Sequence, residues 1–170
     1  LGFTQTTYTW TGGLGFNMWS ANQNWSPSGV PGAGDVAIIN TASTVTIYSD
    51  INVKDIDLQG TATLVVDATV TMSISGVLTI NSGTTFDFSA GSVVLLADAS
   101  GAGSLGPIAG TINGSDLTVQ SYLTSAATWR LLGAQIPGQT VAEWDDDIYI
   151  SGVGGADGDA DTGTVFVSMY

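Results

Sequence analysis

The chain has 170 residues, with 2 basic and 15 acidic side chains, no His and no Cys, and a formal net charge of −13. Nucleic-acid binding is excluded, because Lys54 and Arg130 are too few cations to displace counterions from phosphates. The lack of thiols and imidazoles excludes disulfides, zinc or copper sites of the usual kind, and Ser-His-Asp or Cys-His catalysis. The sequence holds no apolar run of the roughly 18 residues that a membrane span needs.

The composition indicates an all-β protein. Thr (22), Ser (17) and Gly (23) make up more than a third of the chain, whereas charged residues make up only 10%. Thr favours strands and Gly marks turns, while the helix formers Glu, Lys and Arg are scarce. An acidic, hydroxyl-rich, Lys-poor chain without Cys is typical of a secreted bacterial protein, so we expect an extracellular or cell-surface location.

Residues 1–35 are predicted to form an N-terminal cap. They contain three of the five Trp residues, at positions 10, 19 and 25, and a loop stiffened by Pro27 and Pro31. The first turn of a repeat structure exposes its apolar interior and an unpaired strand edge, and bulky aromatic side chains can cover both. A second hypothesis is that Trp19 and Trp25 stack on sugars of a carbohydrate ligand.

Residues 36–118 are predicted to form a β-solenoid. Short runs in which apolar and polar residues alternate follow one another with no room for helices. The predicted strands are Val36–Ile39, Thr44–Tyr48, Val53–Leu58, Thr63–Val66, Val70–Ile74, Val77–Ile80, Thr85–Phe88 and Val93–Leu96.

Self-comparison supports a repeat. Residues 56–66 align with residues 78–88 at an offset of 22, and the apolar positions coincide. Met72 and Ile74 match Val94 and Leu96 at the same offset. A period near 22 corresponds to one coil of a parallel β-solenoid, and the alternative is a sandwich of hairpins with evenly spaced turns.

The pattern changes after Leu96. The small residues between Leu96 and Gly114 predict a wide turn or a junction. Strand-like residues return at positions 111–123. From about Val119 the spacing of apolar residues no longer fits the 22-residue repeat, so residues 119–170 are predicted to begin a second, β-sandwich-like module.

A candidate metal site lies in this last segment. Asp157, Asp159 and Asp161 alternate on a Gly-rich loop, an arrangement that suits calcium. The loop departs from the helix-loop-helix calcium motif, because Thr162 and Ser168 stand where that motif has Gly and Glu. The alternative is a solvated acidic loop.

Further motifs lie in residues 9–12, 24–27, 30–31, 34–36 and 78–86 and in later residues that include 129–132 and 165–170. They resemble motifs of large secreted β-repeat proteins of Bacteroidetes, and the resemblance implies a surface adhesin of the type IX secretion route. It implies a solenoid, a surface location and no catalytic residues. It also leads us to expect that the chain is the N-terminal part of a longer protein.

We therefore expect a non-catalytic extracellular module, an adhesin or spacer of a larger secreted protein. The first alternative is a structural subunit of a filament, which assembles through solenoid ends or through strands donated by residues 1–3 or 164–170. The second is a carbohydrate-binding or glycan-processing solenoid, whose partners would be host or surface glycans. Two carboxylates suffice for glycoside hydrolysis, but no acid stands out from the repeat pattern.

Overall fold

The computed structural model describes residues 4–122, which form a parallel β-solenoid of about four coils. The described range contains one 3₁₀ turn at Asn22–Asn24 and no α-helix. The predicted all-β class and the predicted solenoid are confirmed. The sandwich of hairpins is wrong, since strands of successive coils pair in parallel. The predicted β-sandwich-like segment lies almost entirely outside the described residues.

Short strands make up most of the regular structure of these residues. They are β1 (Thr7–Trp10), β2 (Trp25–Ser26), β3 (Val36–Ile39), β4 (Thr44–Ile47), β5 (Ile51–Val53), β6 (Asp55–Leu58), β7 (Thr63–Val66), β8 (Thr71–Ile74), β9 (Val77–Ile80), β10 (Thr85–Asp87), β11 (Ser92–Leu95), β12 (Ala97–Asp98), β13 (Gly101–Ala102), β14 (Ser104–Ile108), β15 (Thr111–Asn113) and β16 (Leu117–Val119).

Each coil contributes one strand to each of three sheets. Coil 1 consists of β3, β4 and β5, coil 2 of β6, β7 and β8, coil 3 of β9, β10 and β11, and coil 4 of β14, β15 and β16. The first sheet has the order β2-β1-β3-β6-β9-β14, the second β4-β7-β10-β15 and the third β5-β8-β11-β16. Because hydrogen bonds join the coils along the stacking axis, neighbouring coils lie about 4.8 Å apart.

The core runs through the middle of the stack. In β7, Leu64 and Val66 are buried, whereas Thr63 and Val65 lie half-buried on the outer face. The same alternation in the other strands of coils 1 to 3 produces one continuous apolar cluster. Burying each large aliphatic side chain contributes about 1.5–3 kcal/mol, so this column is the main source of stability.

The register confirms most of the predicted repeat. Ile56 pairs with Leu78 and Leu64 pairs with Phe86, an offset of 22 residues. In the third sheet, Met72 pairs with Val93 rather than with the predicted Val94, an offset of 21. The physical reason is a corner that is one residue shorter before β11 than before β8.

A corner at Lys54 divides the predicted strand Val53–Leu58 into β5 and β6. The backbone N–H groups of Lys54 and Asp55 both donate to the carbonyl of Asp35, at 3.2 and 3.1 Å. The carbonyl of Lys54 accepts from the N–H of Gly76 at 2.8 Å. Here the chain passes from the third sheet to the first, with its backbone hydrogen-bonded to the coils on both sides.

The predicted junction between Leu96 and Gly114 is instead part of the fourth coil. An antiparallel hairpin of β12 and β13 projects after β11, and β14 then pairs in parallel with β9. The register shifts between Leu105 and Ile108, where Gly106 and Pro107 interrupt the strand. Small residues and a proline therefore obscured a genuine strand in the sequence.

The N-terminal segment covers the first coil on two of its three sheets. In the first sheet β1 pairs in parallel with β3, and β2 pairs antiparallel with β1. In the second sheet Thr46 of β4 donates its N–H to the carbonyl of Asn17 at 2.7 Å and accepts from the N–H of Trp19 at 3.0 Å. Both strand edges are thus occupied by the chain itself.

Candidate functional site

Three tryptophans pack together at the N-terminal end of the solenoid. The ring of Trp25 meets the rings of Trp10 and Trp19 edge to face, with centroids 5.0 and 4.8 Å apart. The indole N–H of Trp25 donates to the carbonyl of Trp19 at 2.8 Å. Edge-to-face pairs of this kind add to the energy of burial, so the cluster fixes the N-terminal segment on coil 1.

The tryptophan cluster is closed to ligands. Trp10, Trp19 and Trp25 are 1%, 1% and 3% exposed, and all three belong to the continuous core. A sugar stacks only on a ring face that solvent can reach. The geometry therefore corrects the expectation of carbohydrate stacking at Trp19 and Trp25, and these rings cover the interior of the first coil as the cap hypothesis requires.

Asn24 organises the loop that passes over this cluster. Its side chain is fully buried; the carbonyl oxygen accepts from the N–H of Leu14 at 3.0 Å. Its amide nitrogen donates to the carbonyls of Phe16 and Met18, at 2.8 and 3.3 Å. Its backbone carbonyl accepts from the N–H and the hydroxyl of Thr11, at 2.7 and 3.0 Å. One residue thereby holds the backbone of the segment from Thr11 to Met18.

We call residues 12–18 the cap loop. Its three large apolar side chains, Leu14, Phe16 and Met18, are 37%, 53% and 39% exposed. These are the same three residues whose backbone groups bond to the side chain of Asn24. The loop therefore turns its polar backbone inward and presents apolar side chains to solvent.

The outer face of the second sheet carries a column of threonines. Thr44, Thr63, Thr85 and Thr111 pair in register across the four coils. All four are exposed or half-buried. The column gives the solenoid a regular, uncharged hydroxyl surface at the spacing of the coils.

Carboxylates on the outer faces bind groups of the protein itself. Asp55 accepts from the backbone N–H of Val77 at 2.7 Å, and Asp50 accepts from that of Thr71 at 2.8 Å. Asp57 accepts from the side chain of Asn81 at 2.7 Å. These bonds join successive coils, so the carboxylates have a structural role.

The carboxyls of half-buried Asp87 and exposed Asp98 have a lowered pKa. The hydroxyl and the backbone N–H of Ser89 donate to Asp87 at 2.7 and 3.0 Å and lower its pKa. The hydroxyl and the N–H of Ser100 lower the pKa of Asp98 in the same way. Both groups favour the ionised form, which is unsuited to general acid catalysis near neutral pH.

The predicted calcium ligands Asp157, Asp159 and Asp161 lie outside the described residues. Between residues 4 and 122, no group of three or more Asp or Glu side chains is placed to hold a metal ion. The calcium hypothesis therefore stays a prediction about the C-terminal segment.

Sequence reasoning predicted the cap but missed Asn24 and the cap loop. In the sequence, Asn24 stands out only as part of the motif at residues 24–27. Its buried amide could not be inferred, because its partners lie at positions 14, 16 and 18 on a loop without a repeat pattern. A hint was available in the alternation of Leu14, Phe16 and Met18, which resembles a strand but lies among glycines.

No helix in the described part of the chain is long and apolar enough to cross a membrane. Comparison with curated proteins and with solved structures gives no significant match. Residues 9–127, which include most of the cap and all four coils, match the family model of a domain of unknown function, DUF8693. The chain belongs to this DUF8693 family.

Proposed function

We propose that the chain is a non-catalytic extracellular module, an adhesin or spacer of a larger secreted protein. The observation that carries the proposal is the arrangement of four coils behind an N-terminal cap, in which a stack of similar coils is covered at one end by its own chain. Such a stack lengthens by about 4.8 Å per coil without changing its cross-section, which suits a protein that projects a binding region from a surface.

The chemistry of the outer faces agrees with this role. Threonines form the column on the second sheet, and several carboxylates are engaged in bonds between coils. A catalytic site needs acids or bases that converge on a substrate with matched pKa values. The bonds that Asp50, Asp55 and Asp57 make between coils support the non-catalytic proposal.

A filament subunit is the second candidate. Assembly through solenoid ends requires free strand edges at both ends. At the N-terminal end of the described residues, β1 pairs with β3 and residues 17–19 bond to β4, which leaves the short strands β2 and β5 at that edge. This arrangement favours the module over the filament.

The extracellular location can be tested by antibody labelling of intact cells that produce the protein. We expect the antibody to label intact cells as strongly as permeabilised cells. Labelling that appears only after permeabilisation would contradict the proposed location.

Adhesin and spacer roles can be separated with the purified full chain. Beads coated with the chain are tested for binding to arrays of glycans and extracellular matrix proteins, with and without millimolar calcium. Saturable binding supports an adhesin, and its absence on every array supports a spacer. Release of reducing ends from a glycan would contradict the non-catalytic proposal.

A further inference from the structure

Asn113 ends β15 at an exposed position of coil 4. It is the only asparagine in the chain that a glycine follows. In an Asn-Gly pair the backbone nitrogen of the glycine can reach the side-chain carbonyl carbon of the asparagine, because glycine has no side chain to hinder the approach. The pair therefore has the covalent structure that closes most readily to a succinimide ring.

The fold itself requires glycine at position 114. Gly114 has a φ of +153°, and a Cβ at this position would overlap three carbons of the Phe88 ring in coil 3. A larger residue would strain the backbone and displace this buried ring. The packing of coil 4 on coil 3 thus fixes the neighbour that makes Asn113 reactive.

Both reacting groups are accessible in the folded chain. Asn113 and Gly114 are exposed, and β15 ends at Asn113, so Gly114 lies in the corner that leads to β16. Within residues 4–122, no hydrogen bond is formed by the backbone N–H of Gly114. The nitrogen that must attack is therefore not held in a sheet, and ring closure needs only local opening at the end of a strand.

The other asparagines are less suited to this reaction. A residue larger than glycine follows each of them, and after Asn52 it is a β-branched valine. The side-chain amide of Asn81 donates to Asp57 and to the carbonyl of Leu58, both at 2.7 Å. Asn24 is buried, and its amide is bonded to the cap loop. The structure therefore favours reaction at Asn113 alone.

We propose that Asn113 is a site of spontaneous deamidation, a slow covalent change that occurs in the folded protein. The backbone nitrogen of Gly114 gives up its proton and bonds to Cγ of Asn113. The Cγ–Nδ2 bond then breaks, and the side-chain nitrogen takes up a proton and leaves as ammonia. Water opens the ring at either carbonyl and leaves aspartate or isoaspartate, so that a water molecule is consumed for each ammonia released.

The product places a second carboxylate beside Asp87. Asp87 and Asn113 pair in register on neighbouring coils of the second sheet. Ser89 is the main cause of the lowered pKa of Asp87, and the side chain of Asn113 contributes less. Like charges directly opposite each other on neighbouring strands are destabilising. Isoaspartate also reroutes the main chain away from the carbonyl that accepts from the N–H of Phe88 at 2.8 Å. Either product weakens the attachment of coil 4.

The test is mass spectrometry of peptides from the folded full chain after incubation at mildly alkaline pH. We expect the peptide that contains Asn113 to gain the mass difference between an amide and an acid, and protein isoaspartate methyltransferase to label it. Conversion at Asn113 should be at least tenfold faster than at Asn81. An unmodified Asn113 in the folded chain, after a synthetic peptide of residues 109–118 has reacted completely, would overturn the proposal.

Asn113→Gln is the matched control, because it keeps the amide but would form a larger ring, which closes far more slowly. This variant should lose the reaction, while near-ultraviolet circular dichroism shows an intact tryptophan cluster. Asn113→Asp reproduces one product and should lower the denaturation midpoint. Adding Asp87→Asn should restore the midpoint, because a single carboxylate then remains in the pair. A midpoint that Asn113→Asp does not lower, or that Asp87→Asn does not restore, would overturn the proposed effect on coil 4.

Discussion

Asn24 is a buried polar residue whose side chain is satisfied by three backbone groups of the cap loop. Asn24→Ala removes the side-chain amide, so the N–H of Leu14 and the carbonyls of Phe16 and Met18 lose their hydrogen-bond partner. Leaving a buried polar group without a partner costs about 1–3 kcal/mol. We expect the free energy of unfolding to fall by about 2–3 kcal/mol in a denaturant titration.

The control for this prediction is Asn22→Ala, two residues earlier. The Asn22 side chain is exposed, so its removal should change stability by less than about 0.5 kcal/mol. Equal losses in the two variants would show that the Asn24 network does not stabilise the cap.

Asp87 links stability to pH through its contact with Ser89. Its pKa lies below the usual 3.8 because the hydroxyl and N–H of Ser89 bind the carboxylate. In the unfolded chain this pKa returns to its usual value, so on acidification the unfolded state takes up the proton first. The contribution of the Asp87–Ser89 contact to the free energy of unfolding is present above about pH 3.8 and is lost as the pH falls through the lowered pKa of Asp87.

Ser89→Ala should therefore raise the pKa of Asp87 toward its usual value. Carbon-detected NMR titration of the carboxyl measures this directly. Ser100→Ala is the matched control, because it should raise the pKa of Asp98 and leave that of Asp87 unchanged. An unaltered Asp87 titration in Ser89→Ala would show that the hydroxyl does not lower this pKa.

At the scale of elements, the corners between strands restrict the sequence more than the strands do. Gly83 has a φ of +86°, and a Cβ added there would lie 2.9 Å from the carbonyl oxygen of Gly60 in the coil before. Gly83→Ala should lower the free energy of unfolding by about 1–3 kcal/mol, since backbone strain and a steric clash act together.

Gly34→Ala is the control for this substitution. An added Cβ at Gly34 meets no atom within 4 Å, and its φ lies outside the left-handed region. We expect no loss and at most a gain of about 0.4–1 kcal/mol, as the unfolded chain loses conformational freedom. Thermal denaturation of both variants separates corner strain from the general effect of replacing glycine.

The strands were predictable because their alternation is local. Leu58 and Ile80, or Leu64 and Phe86, can be recognised as repeats from apolar spacing alone. Corner lengths were not predictable, because a residue can be lost from a corner without changing that alternation. The pairing of Met72 with Val93 instead of Val94 is such a case.

At the scale of the whole molecule, the stack should tolerate the loss of one coil. Deletion of residues 55–76 joins Lys54 to Val77 and leaves Thr44 aligned with Thr85 and Ile51 with Val93, because both pairs already share partners in coil 2. In a repeat protein, stability is roughly the sum of the coils and their contacts. We expect a folded chain with a lower denaturation midpoint and a smaller m-value.

Deletion of residues 55–65 is the contrasting variant. It removes β6 and all but one residue of β7, so β8 follows β5 directly, meets the wrong sheet and shifts the apolar faces of the later strands out of alignment. Circular dichroism should show a folded protein for the first deletion only. Loss of the fold in both would mean that coil 2 is not an interchangeable unit.

The candidate site was less predictable than the fold for a reason that applies to the whole chain. The repeat gives each coil residue many equivalents, whereas the cap has no internal copy against which to compare Asn24 or Phe16. The three tryptophans and the loop all lie within residues 10–25, and they meet through the irregular path of that segment, which has no repeat pattern.

The corner at Lys54 has a consequence for digestion. Trypsin cleaves after Lys or Arg, and the chain offers only Lys54 and Arg130. At Lys54 the protease must pull an extended segment into its cleft, but the N–H of Lys54, its carbonyl and the N–H of Asp55 are bonded to Asp35 and Gly76. Cleavage there requires opening of the stack, so the native solenoid should resist trypsin while the unfolded chain is cut.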